Sequence, residues 1–399
     1  MKPELKKPFA LSLACRAFAG VLLAAMEVFS ALPPLPEGNA GIAAQYPGDS
    51  GITSNGAVIF ADGFENYNVP NDLWNTYFNV FQLNEIRIAG EAAHVYSGNK
   101  ALEFTMPRGT TELSNGVQMK VNPQREVLFL RYYSKFDTSF DISGSCHNGG
   151  GISAHYFNGY NSTPGIRADG YNKYLIEFEC WRGDIQTANP GQYNVYIYHP
   201  LQRDNYGDHF FPNGEVMPNT SLAFNFGPDF ISRSNVIPRL GRWYCHEVML
   251  KANTVGLKDG RIACWLDGAL IADFQNLELR KVDSLKIDRF NVSFHSRSNP
   301  TRETRKWYDN IVAATSYIGP MVGGSSVNLP VSSLVRKATA MYTVCTMKGQ
   351  AVGKRTGEYH GSAGSVKFQH AEGTLPHGLY VLSINRGTVN QVMKRVVIR

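Results

Sequence analysis

After its first thirty residues the 399-residue chain has no apolar run near the roughly 18 positions that a membrane-spanning helix needs. The mature chain is therefore expected to have no membrane span. Apolar residues spaced three and four apart are also scarce, which argues against helical bundles and α/β folds. Cysteine is limited to six, and the spacings among Cys146, Cys180, Cys245 and Cys264 fit no zinc pattern. The glycine run Gly149-Gly150-Gly151 lacks both the spacing and the following helix of a phosphate loop, so residues 144–151 read as a flexible rim. Positive charge is missing where a polyanion-binding protein would need it. The 39 basic and 33 acidic side chains give +6 overall, yet residues 31–324 hold 25 basic against 29 acidic, a net of −4. That balance excludes a global field for nucleic acid, and attraction to any acidic ligand must be local.

What is present points to β structure. Hydrophobic residues make up 43% of the chain and aromatics 12%, with 38 glycines and 20 prolines to make turns. Lys2, Lys6 and Lys7 precede an apolar stretch ending near Ala24-Ala25-Met26, so residues 1–30 are expected to be a secretory signal. Leu13-Ala14-Cys15 has the outline of a lipid-anchor signal, but the apolar run before it is short. Residues 31–56, rich in Pro, Gly and Ala, read as a linker. The folded part opens at 57–65, and short alternating runs follow at 92–96, 101–106, 117–121, 127–136, 152–156, 174–182, 193–198, 241–250, 261–266, 270–274, 285–294 and 311–318. They predict an all-β, two-sheet sandwich. Residues 321–330 form a second linker, and 331–399 a small basic β domain. Outside the cytoplasm, the four central cysteines allow two bridges, and Cys245 with Cys264 on consecutive strands is the preferred pair; free, buried thiols are the alternative.

The run Tyr193-Asn194-Val195-Tyr196-Ile197-Tyr198 organises the central domain. Period two puts Tyr196 and Tyr198 on one face, and the preceding strand 174–182 joins it through Pro190-Gly191 as a hairpin. Trp181, Arg182, His199, Gln202, Tyr206 and His209 flank the pair. Phenol, guanidinium, amide and imidazole groups together suit a sugar polymer, whose rings stack on aromatic faces while its hydroxyls and carboxylates take hydrogen bonds.

Arg131-Tyr132-Tyr133-Ser134-Lys135-Phe136-Asp137, Trp181-Arg182, Tyr196-Ile197-Tyr198-His199-Pro200-Leu201-Gln202, Tyr206-Gly207-Asp208, Gly241-Arg242-Trp243 and Trp265-Leu266-Asp267-Gly268 occur in that order. Over residues 57–320 the set resembles the alginate and polyuronate lyases built on the concanavalin A-like jelly roll. The resemblance implies β-elimination at a uronic acid: one group neutralises the carboxylate, a base takes the C5 proton, and an acid serves the leaving oxygen. It implies Tyr196 and Tyr198 as the paired tyrosines and Arg182 as the family's arginine after tryptophan, without a catalytic cofactor. Two departures matter. The family's Lys-Leu-Pro-Gly loop is replaced by Cys146 to Gly151, and its Ser-x-Arg pair would fall near Ile176 and Phe178, so the roles are reassigned, with His155 as the base and Arg182 as the carboxylate clamp. Trp181, His199, Gln202, Tyr206 and His209 are the expected substrate contacts.

Two other readings compete. Glu177 and Glu179 share one strand face, and retaining glycosidases place their carboxylates ~5–5.5 Å apart. Alternatively, the same fold serves as a noncatalytic binding module. Asp62 and Glu65 near the domain start and Asp309 near its end are candidates for a structural calcium, which favours oxygen ligands. The terminal segment, with Tyr342-Thr343-Val344, Leu375-Pro376-His377-Gly378-Leu379-Tyr380 and Lys394-Arg395-Val396-Val397-Ile398, resembles the C-terminal sorting domain of type nine secretion. That resemblance implies secretion machinery as a partner and a cell-surface or extracellular location; a small carbohydrate-binding module is the alternative.

Overall fold

Alternation such as Asn291-Val292-Ser293-Phe294-His295 sends apolar side chains to one face of a pleated strand and polar ones to the other. The computed structural model describes residues 34–144, 146–184, 186–218 and 225–323, and the backbone of four strands beyond them. The expected signal, residues 1–30, lies outside the described residues, as do residues 324–330 of the second linker and 331–338 of the expected terminal domain.

Two antiparallel sheets stack in the unit that ends at Gly324. One runs Ala269–Leu277, Gly260–Leu266, Trp243–Lys251, Val127–Phe136, Thr304–Ala314, Ala101–Met106, Ile86–Ala89, with Val58–Asp62 also on Thr304–Ala314. The other runs Val216–Met217, Asp208–Phe210, Gln192–Tyr198, Tyr174–Trp181, Gly150–Ala154, Ile287–Ser296, Leu113–Arg125, Asn79–Phe81, with Cys146–His147 also on Ile287–Ser296. Neighbours distant in sequence, and first and last strands paired at Asp62 and Ile311, make this an all-β jelly-roll sandwich of the concanavalin A-like class. The second unit, from Ser325, contributes a four-stranded antiparallel sheet: Ala351–Glu358, Thr339–Thr346, Gly378–Asn385, Gln391–Ile398.

The core lies between the sheets. Leu128, Leu130, Tyr132, Val248, Leu250 and Ile262 meet Ile152, Ile176, Phe178, Val195, Ile197 and Val292. At ~25 cal/mol per Å² of apolar surface removed from water, this layer dominates the stabilisation.

Four sequence expectations are corrected. Residues 92–94 form a 3-10 turn, not a strand. The segment read as a linker is packed from Pro34 onward: its 3-10 turns bury Ile42, Ala43 and Ile52 against Phe129, Met249 and Trp265 on the outer face of the first sheet. Its Asp49 pairs with the fully buried Arg131 guanidinium, and Pro36 O accepts from Trp265 Nε1 at 2.9 Å. The segment lacks periodicity because it covers a sheet without belonging to one. The glycine run is likewise no rim. It enters the second sheet, where a Cβ on Gly149 would fall 1.8 Å from Phe178 O and one on Gly150 2.3 Å from the Tyr132 ring. Glycine is needed there because backbone and aromatic ring approach too closely for any side chain.

The cysteine pairing is the fourth. Val248 lies opposite Cys264 and both face the core, whereas Cys245, at odd spacing from Val248, faces the other side next to Tyr133. The pair cannot meet across the sheet, and Cys146, Cys180, Cys245 and Cys264 are free and buried.

Candidate functional site

Residues of the second sheet that point away from the core share its outer face, the expected trough. One rank of cross-strand neighbours runs His209, Tyr196, Glu177, Gly151, Asn291, Gln118, Asn79. Strands ~4.8 Å apart make that rank about 29 Å long, enough for several sugar rings. An adjacent rank places Asn194 opposite Glu179, and beyond it His295 faces both His147 and Ser114. On the other side of the main rank, Arg289 sits opposite Lys120 and supplies local positive charge.

The pleat decides which residues belong. Ile176 and Phe178, where the Ser-x-Arg pair was expected, are core; Glu177 and Glu179 occupy the trough face. His147 donates or accepts through Nδ1 at 2.9 Å from Glu179 Oε2, and its ring lies 4.5 Å from Tyr196 and 5.5 Å from His295. His209 packs 5.1 Å from Tyr196 and stacks on Trp181 at 4.7 Å. Asn194 Nδ2 donates to the carbonyls of Glu179 and Gln192, which leaves Oδ1 to accept from His209 Nδ1 at 2.9 Å. That bond fixes the neutral tautomer of His209 with an unprotonated Nε2. Glu177 is hydrogen-bonded to Ser293 Oγ.

Burial disfavours the His147 cation, but the charge and hydrogen bond of Glu179 outweigh it and carry the imidazole up to about 9. Burial likewise pushes Glu179 up to about 7, against the pull of His147. His209 falls to about 3 and His295 to about 4, through burial and then the neighbouring His147 charge. Around one charged imidazole the trough thus sets two neutral ones. Burial also raises the Tyr196 phenol far above its ordinary value, so it keeps its proton.

Tyr196 and Tyr198 both stand on the trough side, only 6% and 1% exposed, in a small cluster with Tyr156, Ala168 and Leu175. Tyr196 Oη accepts from Gly207 N at 2.9 Å and Tyr198 Oη from Gly165 N at 3.2 Å. Lys173 Nζ lies 4.3 Å from the centre of the Tyr198 ring. Of the expected contacts, Trp181 and His209 join the trough, and Tyr206 is 54% exposed near Gly165.

Four expected residues lie elsewhere. Arg182 donates from Nε to Thr187 O at 2.7 Å and from Nη1 to Asp141 O at 3.4 Å, bracing loops past the strand end. His155 follows the Gly150–Ala154 strand in the left-handed region, φ 54°, with its N–H on Asp288; no ring contact or hydrogen bond joins it to Tyr196 or Tyr198 among the described residues. His199 is buried with Nε2 2.9 Å from Asp208 Oδ2. Gln202, also buried, accepts from His199 N and donates to the carbonyls of Asp204 and Tyr206, which pins the loop. Sequence reading missed His147, Asn194 and His295. The polar alternation Asn291, Ser293, His295 was the available signal.

The calcium candidates divide. Asp62 accepts from the Tyr67 and Tyr77 hydroxyls, so its carboxylate is committed away from the others. Glu65 accepts from Asn99 N and Lys100 N, and Asp309 from Tyr96 N and Ser97 N, so these two clasp one turn from both sides. Burial lifts Asp309 to about 8, with Glu65 adding to the rise.

No protein-family model matches the chain, and no curated protein matches it. Solved structures do. The chain is similar to the alginate lyase Aly36B, at 18% identity over 65% of this chain and 98% of that one, TM-score 0.47. An alginate lyase of Aplysia kurodai is similar at 13% identity over 65% and 99%, TM-score 0.46. An endo-β-1,4-glucuronan lyase of the fungus Trichoderma reesei is similar at 16% over 65% and 96%, TM-score 0.41.

Proposed function

We propose that the protein binds an acidic polysaccharide along the trough and cleaves it by β-elimination. One observation carries the reading: a neutral imidazole, His209, and a protonated phenol, Tyr196, lie 5.1 Å apart, with a charged imidazole, His147, 4.5 Å from the phenol. In this mechanism the His147 cation, held charged by Glu179, faces the uronate carboxylate and makes the C5 proton acidic. His209 Nε2 takes that proton, and Tyr196 gives its own to the leaving glycosidic oxygen. The electron pair of the broken C5–H bond forms the C4–C5 double bond as the C4–O bond breaks. Trp181 offers a ring for stacking, and Arg289 and Lys120 attract carboxylates further along.

The test is a panel of alginate, glucuronan and related polyuronates, read together for ultraviolet-absorbing unsaturated ends, reducing ends and binding. Unsaturated ends are expected, and they should fall ~10²- to 10⁴-fold in Tyr196→Phe and His209→Ala. None from any polyuronate overturns the reading. Reducing ends without unsaturation favour a retaining hydrolase, a second reading supported by Glu177 and Glu179 having oxygens within 4.8 Å of each other and by Glu179 being lifted to about 7, as an acid requires. Binding with no product favours a noncatalytic module.

We also infer secretion, from the N-terminal Lys-then-apolar stretch and the sorting-type terminal segment; recovery of the chain only inside the expressing cell would remove it. A structural calcium would be held by Glu65 and Asp309, and its removal by a chelator should lower the melting temperature. Unchanged melting in chelator would dismiss it.

A further inference from the structure

We propose that His147, Glu177 and Glu179 form a binding site for a divalent transition cation, zinc being the best match, on the floor of the trough. A ligand atom from each lies within 4.8 Å of those of the other two, and among the described residues no other group of three such side chains does so. One imidazole nitrogen with two carboxylates suits zinc or manganese, whereas calcium asks for six or more oxygens.

A second observation points to a ligand. Glu179 is 1% exposed, and its Oε1 has no hydrogen-bond partner. His209 Nδ1 is 3.8 Å from that oxygen but is committed to Asn194 Oδ1. A buried carboxylate oxygen without a donor calls for a cation or a bound group. The supports are rigid as well. Tyr132 Oη donates to Phe178 O and accepts from Gly150 N, each at 2.9 Å, locking the strand that carries Glu177 and Glu179 to the Gly150–Ala154 strand that follows His147. Ser293 Oγ orients Glu177 from the next strand, as outer partners of metal ligands do.

The inference deepens the lyase reading and rests on it only for its use. Where the resemblance expects a loop lysine, this chain has His147, and Glu177 and Glu179 beside it leave the three groups with a net negative charge. A divalent ion there cancels the two carboxylate charges and offers an open position to the uronate carboxylate. Proton and metal are alternative occupants of the coordinating His147 nitrogen, and the proton leaves to solvent when metal binds.

The experiment is calorimetric titration of zinc chloride into the full chain, stripped with chelator and free of glycan. One zinc per chain is expected, with affinity falling at least about a hundredfold in Glu177→Gln and in Glu179→Gln. Should either Gln variant fail to fold, His147→Asn carries the same test, since that side chain is 23% exposed. No saturable binding, or equal binding in the ligand variants, overturns the proposal. Zinc binding without any unsaturated product removes the lyase reading and leaves the metal site; product without zinc binding does the reverse.

Discussion

His147 Nδ1 sits 2.9 Å from Glu179 Oε2, joining a short strand of the glycine-rich segment to the organising hairpin. Both groups have their proton affinities raised, so the sign of their contribution is the same. The His147 part is fully present below its ordinary value of 6.5 and is lost as pH climbs through about 9. The Glu179 part is present below 4.5 and is lost as pH climbs through about 7. Because the two titrate as a pair, melting temperature should fall in overlapping steps across that window. His147→Gln should flatten the upper step, which thermal melts from mildly acid to alkaline pH will check. If product is made, its rate should also drop near pH 9, where the His147 cation disappears.

Gly149 has no room for a side chain. A methyl there would fall 1.8 Å from Phe178 O, so Gly149→Ala should cost at least about 1–3 kcal/mol by overpacking. Urea denaturation would show it, and a midpoint equal to the parent's would mean that the segment does not pack in the sheet.

Asp49 balances a guanidinium that has no access to solvent. Replacing it by Asn leaves Arg131 charged and buried without its paired carboxylate, held by the carbonyls of Asn310 and Gly319 at 3.2 and 3.4 Å, with Glu247 opposite it on the neighbouring strand. Breaking a buried pair in this way costs ~3–5 kcal/mol. The covering segment 34–56 should then become sensitive to protease before the sandwich unfolds, whereas unchanged digestion would contradict the packing described.

Cys146, Cys180, Cys245 and Cys264 should all take iodoacetamide in denatured, unreduced protein and resist it in the native state. Mass spectrometry of peptides will count them. A protected pair in the denatured sample would establish a bridge.

Much of the sandwich was legible because alternation is a local property. The strand at Ala101–Met106 was read to the residue, and Gln192–Tyr198 to within one. The covering segment was not legible, since its apolar residues follow the surface of another element and have no period of their own. Nor was the glycine run, whose meaning lies in Phe178 and Tyr132 approaching from elsewhere in the chain.

The site divides in the same way. Period two by itself determined that Tyr196 faces with Tyr198 and Glu177 with Glu179, because successive side chains of a strand must alternate. Only tertiary structure decided that His147, His209 and His295 gather around them while Arg182, His155, His199 and Gln202 do not. Cross-strand register is set by turns, core packing and bulges far along the chain, and a shift of one residue would have sent each of these groups to the opposite face.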